Sequence, residues 1–132
     1  MVIGATNRPQ ELDEAARRRL VKRLYIPLPN EDARKHLVLN LLKTHNHSLL
    51  DADLDIIVSK SNGYSGSDLH ALCREAVMQP LRTVSDIRNI KVEQVRPVGL
   101  EDFILAFSQI RPSVSDKDLL FYDQWNQQYG CL

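Results

Sequence analysis

The sequence predicts an α/β fold in which the last strands of a parallel sheet precede a mainly α-helical bundle. Two short apolar runs, at residues 2–5 and 23–28, have the length of buried strands. A helical stretch lies between them, and from Asn30 onward the hydrophobic period changes from two to nearly four. Strand, helix, strand and then about five helices is the order expected where a sheet edge joins a helical bundle.

The first strand and the helix after it carry conspicuous polar residues. Residues 2–5 are apolar and partly β-branched, and Asn7 and Pro9 stop the run, which predicts a buried strand followed by a loop. Residues 11–19 have a helix-forming composition, with three arginines at the C-terminal end, where cations suit the helix dipole. A pair of prolines ends the second strand.

The first helix of the bundle is predicted to begin after Asn30, whose side chain can cap it. Its apolar stripe consists of Ala33, Leu37, Val38, Leu41 and Leu42. A short helix over residues 52–61 follows, and Asn62 with Gly63 is expected to end it. The inward residues of this second helix are Leu54, Ile57 and Val58.

The clearest helical period follows a capping box at residues 65–68, where a serine precedes a carboxylate by three positions. Its apolar face is formed by Leu69, Leu72, Cys73, Ala76 and Val77. Pro80 is expected to end or kink this helix. Residues 83–98 are predicted to be a partly ordered loop anchored by Ile87, Ile90, Val92 and Val95.

Two further helices complete the predicted bundle. The first is marked by the apolar residues Leu100, Phe103, Ile104 and Phe107. Ser115 with Asp118 forms a second capping-box pattern before the last helix. That helix carries the aromatic residues Phe121, Trp125 and Tyr129, which are expected to pack it against the sheet.

Composition excludes several classes of function. The 132 residues carry 17 basic and 17 acidic side chains, so overall charge supports neither direct nucleic-acid binding nor attraction to a membrane surface. The two cysteines, Cys73 and Cys131, lie far apart, which favours reduced thiols in the cytoplasm or nucleus over a disulfide framework. The four histidines show no metal-ligand spacing, and no apolar run is long enough to span a membrane.

The N-terminal layout predicts half of an ATPase site. A polar residue after a buried strand can orient a reacting water, and arginines can neutralise charge on a transferring phosphoryl group. A glycine-rich phosphate loop with its lysine is missing from the sequence, as is a strand ending in paired acidic residues for magnesium. We therefore expect a C-terminal fragment of a longer protein.

Several of these motifs resemble those of a known family. Residues 4–9, 12–15 and 25–29 are similar to the second half of an AAA ATPase module, and residues 63–69 resemble its lid motif. The ending from residue 111 is similar to the clade of katanin, spastin and fidgetin. The resemblance implies the last strands of a P-loop-type sheet in residues 1–29, and a helical lid subdomain with a C-terminal helix in residues 30–132.

The resemblance also implies roles for five residues. Asn7 matches the first sensor beside the terminal phosphate, and Arg18 and Arg19 match arginine fingers that reach a neighbouring subunit's site. Gly66 and Ser67 match lid residues near the adenine and ribose. From the residues alone, simpler interpretations stay open: a turn asparagine, a solvated basic helix end, and an ordinary helix cap.

The implied function is hydrolysis of ATP with Mg²⁺ by a hexameric ring of identical subunits that remodels a protein such as tubulin or a recombinase. These residues alone are expected to be inactive and to bind neither ATP nor Mg²⁺, because they lack the phosphate loop and the magnesium ligands. Such a ring would work in the nucleus or the cytoplasm. The alternative hypothesis is a non-catalytic helical module that binds protein or nucleic acid.

Overall fold

A computed structural model describes residues 1–84 and 88–131. The α-helices are α1 (Glu14–Arg19), α2 (Glu31–Leu42), α3 (Asp51–Lys60), α4 (Gly66–Arg82), α5 (Leu100–Gln109) and α6 (Asp116–Tyr129). Short 3-10 helices lie at Pro9–Glu11 and Val92–Gln94. The anchors predicted at Ile87 and at the Val92 side chain fall outside what is described.

The chain divides into two compact units, which we describe separately. The first unit consists of residues 1–27 and 115–132, so α1 and α6 share it, and the second consists of residues 28–114. Assignment of the ranges 1–29 and 30–132 to AAA subdomains stays a prediction. No helix within the described ranges is long and apolar enough to cross a membrane.

The second unit is a four-helix bundle built around α4. This helix packs against α2 on one side and α5 on the other, and α3 contacts both of those helices. The predicted inward residues of α3 are buried, which confirms that face. Cys73 lies in the same core, and burial raises the pKa of its thiol to about 12. Before α5, Val98 forms a parallel bridge with His47.

The three predicted N-terminal caps are confirmed. The Asn30 side chain accepts a hydrogen bond from the Ala33 amide at 2.9 Å. The Ser65 hydroxyl likewise accepts from the Asp68 amide at 3.1 Å, and Ser115 caps α6 in the same way. An N-terminal cap depends only on residues close together in the sequence, because the capping side chain bonds to an amide three positions later. Such caps can therefore be predicted from the sequence.

The two predicted strands do not form within this chain. Residues 2–5 and 23–28 lack regular secondary structure, and Val2 and Ile3 are more than 80% exposed, at 86% and 81%. A strand exists only where a neighbour pairs with its backbone amides and carbonyls. Among the described residues no strand pairs with either run, and the one bond from the Cys131 amide to the Arg23 carbonyl does not make a ladder. Apolar composition alone is therefore not sufficient to form a strand.

Other local predictions were wrong in detail. The helix expected from residue 11 begins at Glu14, because Asp13 accepts a hydrogen bond from the Ala16 amide at 2.6 Å and caps it. Pro80 does not end α4, which continues to Arg82, and the alternative that it kinks the helix stays a prediction. A proline this close to the end of a helix removes one backbone donor, and two further residues can still follow. Ile104, expected on the apolar face of α5, is about half exposed.

The buried residue that begins the core face of α2 is Arg34, not Ala33. Its side chain is 3% exposed and has no carboxylate partner in the described structure. The guanidinium donates to the Pro29 carbonyl and the Val58 carbonyl, each at 3.0 Å, and to the Ser61 hydroxyl at 3.2 Å. Two of these acceptors lie at the C-terminal end of α3, where the helix dipole favours a cation.

An ion pair holds the start of α5. Arg96 donates to both carboxylate oxygens of Asp102 at 2.7 Å, and the Gly99 amide donates to the same carboxylate at 2.9 Å. The hydrogen bonds from Arg96 hold the pKa of Asp102 below its ordinary value against the opposing effect of burial. Asp102 therefore stabilises the fold in its charged form.

We predict that Asp102→Asn lowers the free energy of unfolding by about 1–3 kcal/mol near neutral pH, since it removes charge-assisted bonds from a buried group. A carboxyl with a depressed folded pKa stabilises the protein above its unfolded pKa of about 4, and loses that contribution as pH falls through the folded value. Urea unfolding from pH 7 to pH 3 should show the free energies of unfolding of wild type and Asp102→Asn converging at acid pH. Exposed Asp116→Asn is the control; a difference independent of pH would contradict the role of the charge.

Candidate functional site

Asn7 lies in an exposed turn of the first unit. The Thr6 hydroxyl accepts a hydrogen bond from the Arg8 amide at 3.0 Å, so Thr6 is the residue whose side chain satisfies this turn. The Asn7 backbone carbonyl accepts from the Tyr122 hydroxyl at 2.9 Å, which connects the turn to α6. Within the described structure the Asn7 amide makes no side-chain hydrogen bond, and it is exposed.

The three arginines of α1 differ in their surroundings. The Arg17 guanidinium donates to the Leu12 carbonyl at 2.7 Å and lies over the Tyr129 ring, 5.0 Å from its centroid. Arg18 pairs with Glu14 at 2.9 Å, and both side chains are 74% exposed, so this pair holds Arg18 weakly. Arg19 makes a single long bond of 3.3 Å, to the Ala15 carbonyl. Arg17 is therefore committed within the fold, whereas Arg18 and Arg19 are accessible.

Arg23 was missed by sequence reasoning, which placed it in a strand. Its Nε donates to the Tyr129 carbonyl at 2.7 Å, and its Nη1 donates to the Arg17 carbonyl at 2.8 Å and to the Leu20 carbonyl at 2.9 Å. The sequence did contain a signal for this role, because Arg23 follows shortly after a short helix, and a basic side chain there can donate to the last carbonyls of the helix. An open cavity of about 400 Å³ is lined here by Glu14, Arg17, Arg18, Val21, Arg23 and Tyr129.

Gly66 and Ser67 form the first turn of α4 in the second unit, where Ser67 is exposed. A Cβ on Gly66 would meet only the Leu37 Cδ2 atom, at 3.8 Å, which is an ordinary contact. Neither packing nor backbone conformation within this chain therefore requires glycine at this position. Gly63 differs, because its φ of +83° favours glycine.

Asp68 sets the electrostatics of this helix start. Burial disfavours its charge, but hydrogen bonds from the Ser65 amide at 2.9 Å and the Ser113 amide at 3.1 Å outweigh that cost and lower its pKa. The carboxylate thus occupies the anion-favouring end of α4. A nucleotide approaching Gly66 would fit with its neutral base or ribose, whereas its phosphates would meet a negative charge.

The predicted site residues fall into two groups. Asn7, Arg18 and Arg19 belong to the first unit, and Gly66 and Ser67 to the second. Each group is exposed or partly exposed on its own unit. Their roles with a nucleotide stay predictions.

Comparison with protein families places this geometry in context. Residues 51–95 match the AAA+ lid domain, and residues 81–130 match the Vps4 C-terminal oligomerisation domain. Fidgetin-like protein 1 of Rattus norvegicus is 53% identical over 133 aligned residues, which include 99% of this chain. The chain resembles the fidgetin-like members of the AAA family. This chain spans 20% of the length of that relative.

Solved structures agree with the AAA assignment. A crystal structure of the FIGL-1 AAA domain in complex with ADP has a TM-score of 0.94 and 47% identity, covering 98% of this chain and 44% of that one. A katanin structure described in terms of self-assembly has a TM-score of 0.78 and 31% identity, covering 90% of this chain and 44% of that one. These neighbours confirm the predicted AAA module fold with its helical lid bundle.

We predict opposite outcomes for two glycines. Gly63→Ala should lower the free energy of unfolding by about 1–2 kcal/mol, because alanine is strained at a left-handed φ. Gly66→Ala should leave it unchanged or slightly raised, because its Cβ meets an ordinary contact and the unfolded chain becomes less flexible. Urea unfolding of both variants checks this. Equal destabilisation would show that the fold itself requires Gly66.

Proposed function

We propose that this chain works within a longer AAA polypeptide that hydrolyses ATP. The observation that carries the proposal is its similarity, over 98% of its length, to an AAA domain crystallised with ADP. The accessible Arg18 and Arg19 provide chemistry that suits such an activity. A guanidinium is always charged, planar and able to donate two parallel hydrogen bonds to phosphate oxygens.

The residues divide the work between two sites. Asn7 serves its own subunit, where its amide orients the attacking water, and it is suitable because no intrachain hydrogen bond engages that amide among the described residues. Arg18 and Arg19 serve a neighbouring subunit by neutralising charge that develops on the transferred group. Gly66 and Ser67 contact the base or ribose. ATP with Mg²⁺ supplies the phosphoryl group when bound, and its phosphates and metal are held by residues outside this chain.

Arginines that act in trans require an oligomer, and we propose that this oligomer is a hexameric ring. Residues 81–130 match a domain described as an oligomerisation domain, and the katanin relative is described by its self-assembly; both support an oligomer. We propose that ring movements driven by hydrolysis remodel a protein substrate, with tubulin or a recombinase as the candidates.

We predict that Asn7→Ala in the complete ATPase lowers kcat about a hundredfold or more while leaving nucleotide affinity nearly unchanged, as expected for a residue that acts mainly in the transition state. Steady-state hydrolysis and titration of a fluorescent ATP analogue measure the two quantities. Thr6→Ala, beside it, is the control for disturbance of the turn. An unchanged kcat would refute the sensor role.

The double variant Arg18→Ala/Arg19→Ala should poison mixed rings. Each variant subunit disables the site of its neighbour, so activity should fall faster than the wild-type fraction when the two proteins are mixed at constant total concentration. Glu14→Ala, which removes only the exposed ion-pair partner, should leave the curve linear. A linear curve for the double variant would show that the arginines do not act in trans.

A further inference from the structure

We propose that Arg23 and Tyr129 are positioning residues that hold α1 so that Arg18 and Arg19 face outward. We call Arg23, Tyr129 and Cys131 the C-terminal latch. The proposal rests on the role of the two arginines proposed above and adds a structural requirement to it: the end of α6 takes part in hydrolysis at the neighbour's site.

Arg23 stabilises the weak end of a short helix. An α-helix of six residues is marginal by itself, and its last carbonyls have no donor within the helix. The Nη1 of Arg23 donates to the carbonyls of Arg17 and Leu20, which lie at that end. This guanidinium therefore closes α1 just beyond the two exposed arginines.

The same guanidinium joins α1 to the end of α6. Its Nε donates to the Tyr129 carbonyl, so one side chain bonds to both segments at once. The backbones pair as well, because the Cys131 amide donates to the Arg23 carbonyl at 3.0 Å. The Cys131 thiol adds two contacts of 3.3 Å, accepting from the Arg23 amide and donating to the Val21 carbonyl.

The Tyr129 ring holds Arg17, and not Arg18 or Arg19, against the protein surface. Three consecutive arginines repel one another, and the ring face attracts Arg17 while the Leu12 carbonyl accepts from it. Because residues one apart on a helix point in different directions, fixing Arg17 inward also fixes the directions of Arg18 and Arg19. Arg17 and Arg23 both line the cavity and both donate hydrogen bonds within the fold, so we assign them to the support of α1.

The test uses the complete ATPase with Arg23→Ala, Arg23→Lys, Tyr129→Ala and Tyr129→Phe. Arg23→Ala and Tyr129→Ala should each lower kcat about ten- to a hundredfold, as expected when a catalytic group is misplaced by about 1 Å. The KM for ATP should stay within about twofold, because ground-state binding does not use these groups. Tyr129→Phe keeps the ring and the backbone carbonyl and should match wild type. Arg23→Lys should restore only part of kcat, since one ammonium cannot reproduce the fork.

Complementation separates positioning from a general loss of structure. Arg23→Ala subunits keep Asn7 but misplace the arginines, whereas Asn7→Ala subunits keep the arginines but lose the sensor. Mixed rings should therefore be several-fold more active than either variant alone, because some interfaces combine an intact sensor with intact arginines. Hydrogen exchange should be faster in α1 of Arg23→Ala, with exchange in α4 unchanged.

The outcomes distinguish the two levels of the proposal. Loss of activity in the Arg18/Arg19 double variant together with normal kcat in both Arg23→Ala and Tyr129→Ala would overturn the latch and leave the proposed function intact. Normal activity in the double variant would overturn the proposed role of Arg18 and Arg19, and the latch with it, while ATP hydrolysis by the complete protein would still stand. Failure of the two half-defective variants to complement would also overturn the latch. If Arg23→Ala does not fold, Tyr129→Ala against Tyr129→Phe decides the question.

Discussion

The buried Asp68 carboxylate is the constraint on which the second unit depends. It accepts hydrogen bonds from the first residues of the α4 cap and from Ser113, a residue 45 positions later in the chain. The same helix start is joined to the end of α5 through Tyr64, whose hydroxyl donates to the Ile110 carbonyl at 2.5 Å. A charge buried without such partners would destabilise the fold, so the position of α4 and the path after α5 are determined together. The exposed Gly66 and Ser67 are thereby presented by a rigid helix start.

Sequence pattern predicts best what local geometry decides. The six α-helices were predicted near their observed positions, although the first begins three residues late. Helical periods indicate most of them, and capping side chains mark the starts of α2, α4 and α6. Arg34 shows the limit of this reasoning. A charged residue at the edge of an apolar stripe is normally solvated, and Arg34 is buried only because the α3 carbonyls and Pro29 come to it through tertiary contacts. Periodicity carries no information about those acceptors.

The two predicted strands are absent for a similar reason, because a strand also depends on contacts that are distant in sequence. A helix forms most of its backbone hydrogen bonds within itself, whereas a strand forms them with a neighbouring strand. Apolar composition does not identify that neighbour. Residues 2–5 and 23–28 have the composition of buried strands, yet the apolar side chains of Val2, Ile3, Leu24 and Ile26 are exposed. The motifs in these segments nevertheless indicate the AAA module correctly, because they resemble segments that pair with other strands in that module. Composition and resemblance therefore answered different questions about the same residues.

The basic run after residue 16 shows how residues of one type come to have different surroundings. Arg17, Arg18, Arg19 and Arg23 have the same charge and the same donors, so their chemistry alone does not distinguish them. The acceptors around them do so: carbonyls and an aromatic ring withdraw Arg17 and Arg23, while only an exposed carboxylate and one long bond hold the other two. A guanidinium useful in catalysis must be free to bind, yet it must also be precisely held, and one side chain cannot do both. In the arrangement we propose, Arg17 and Arg23 meet the second requirement for the exposed pair, because rigidity is supplied by residues that do not themselves bind.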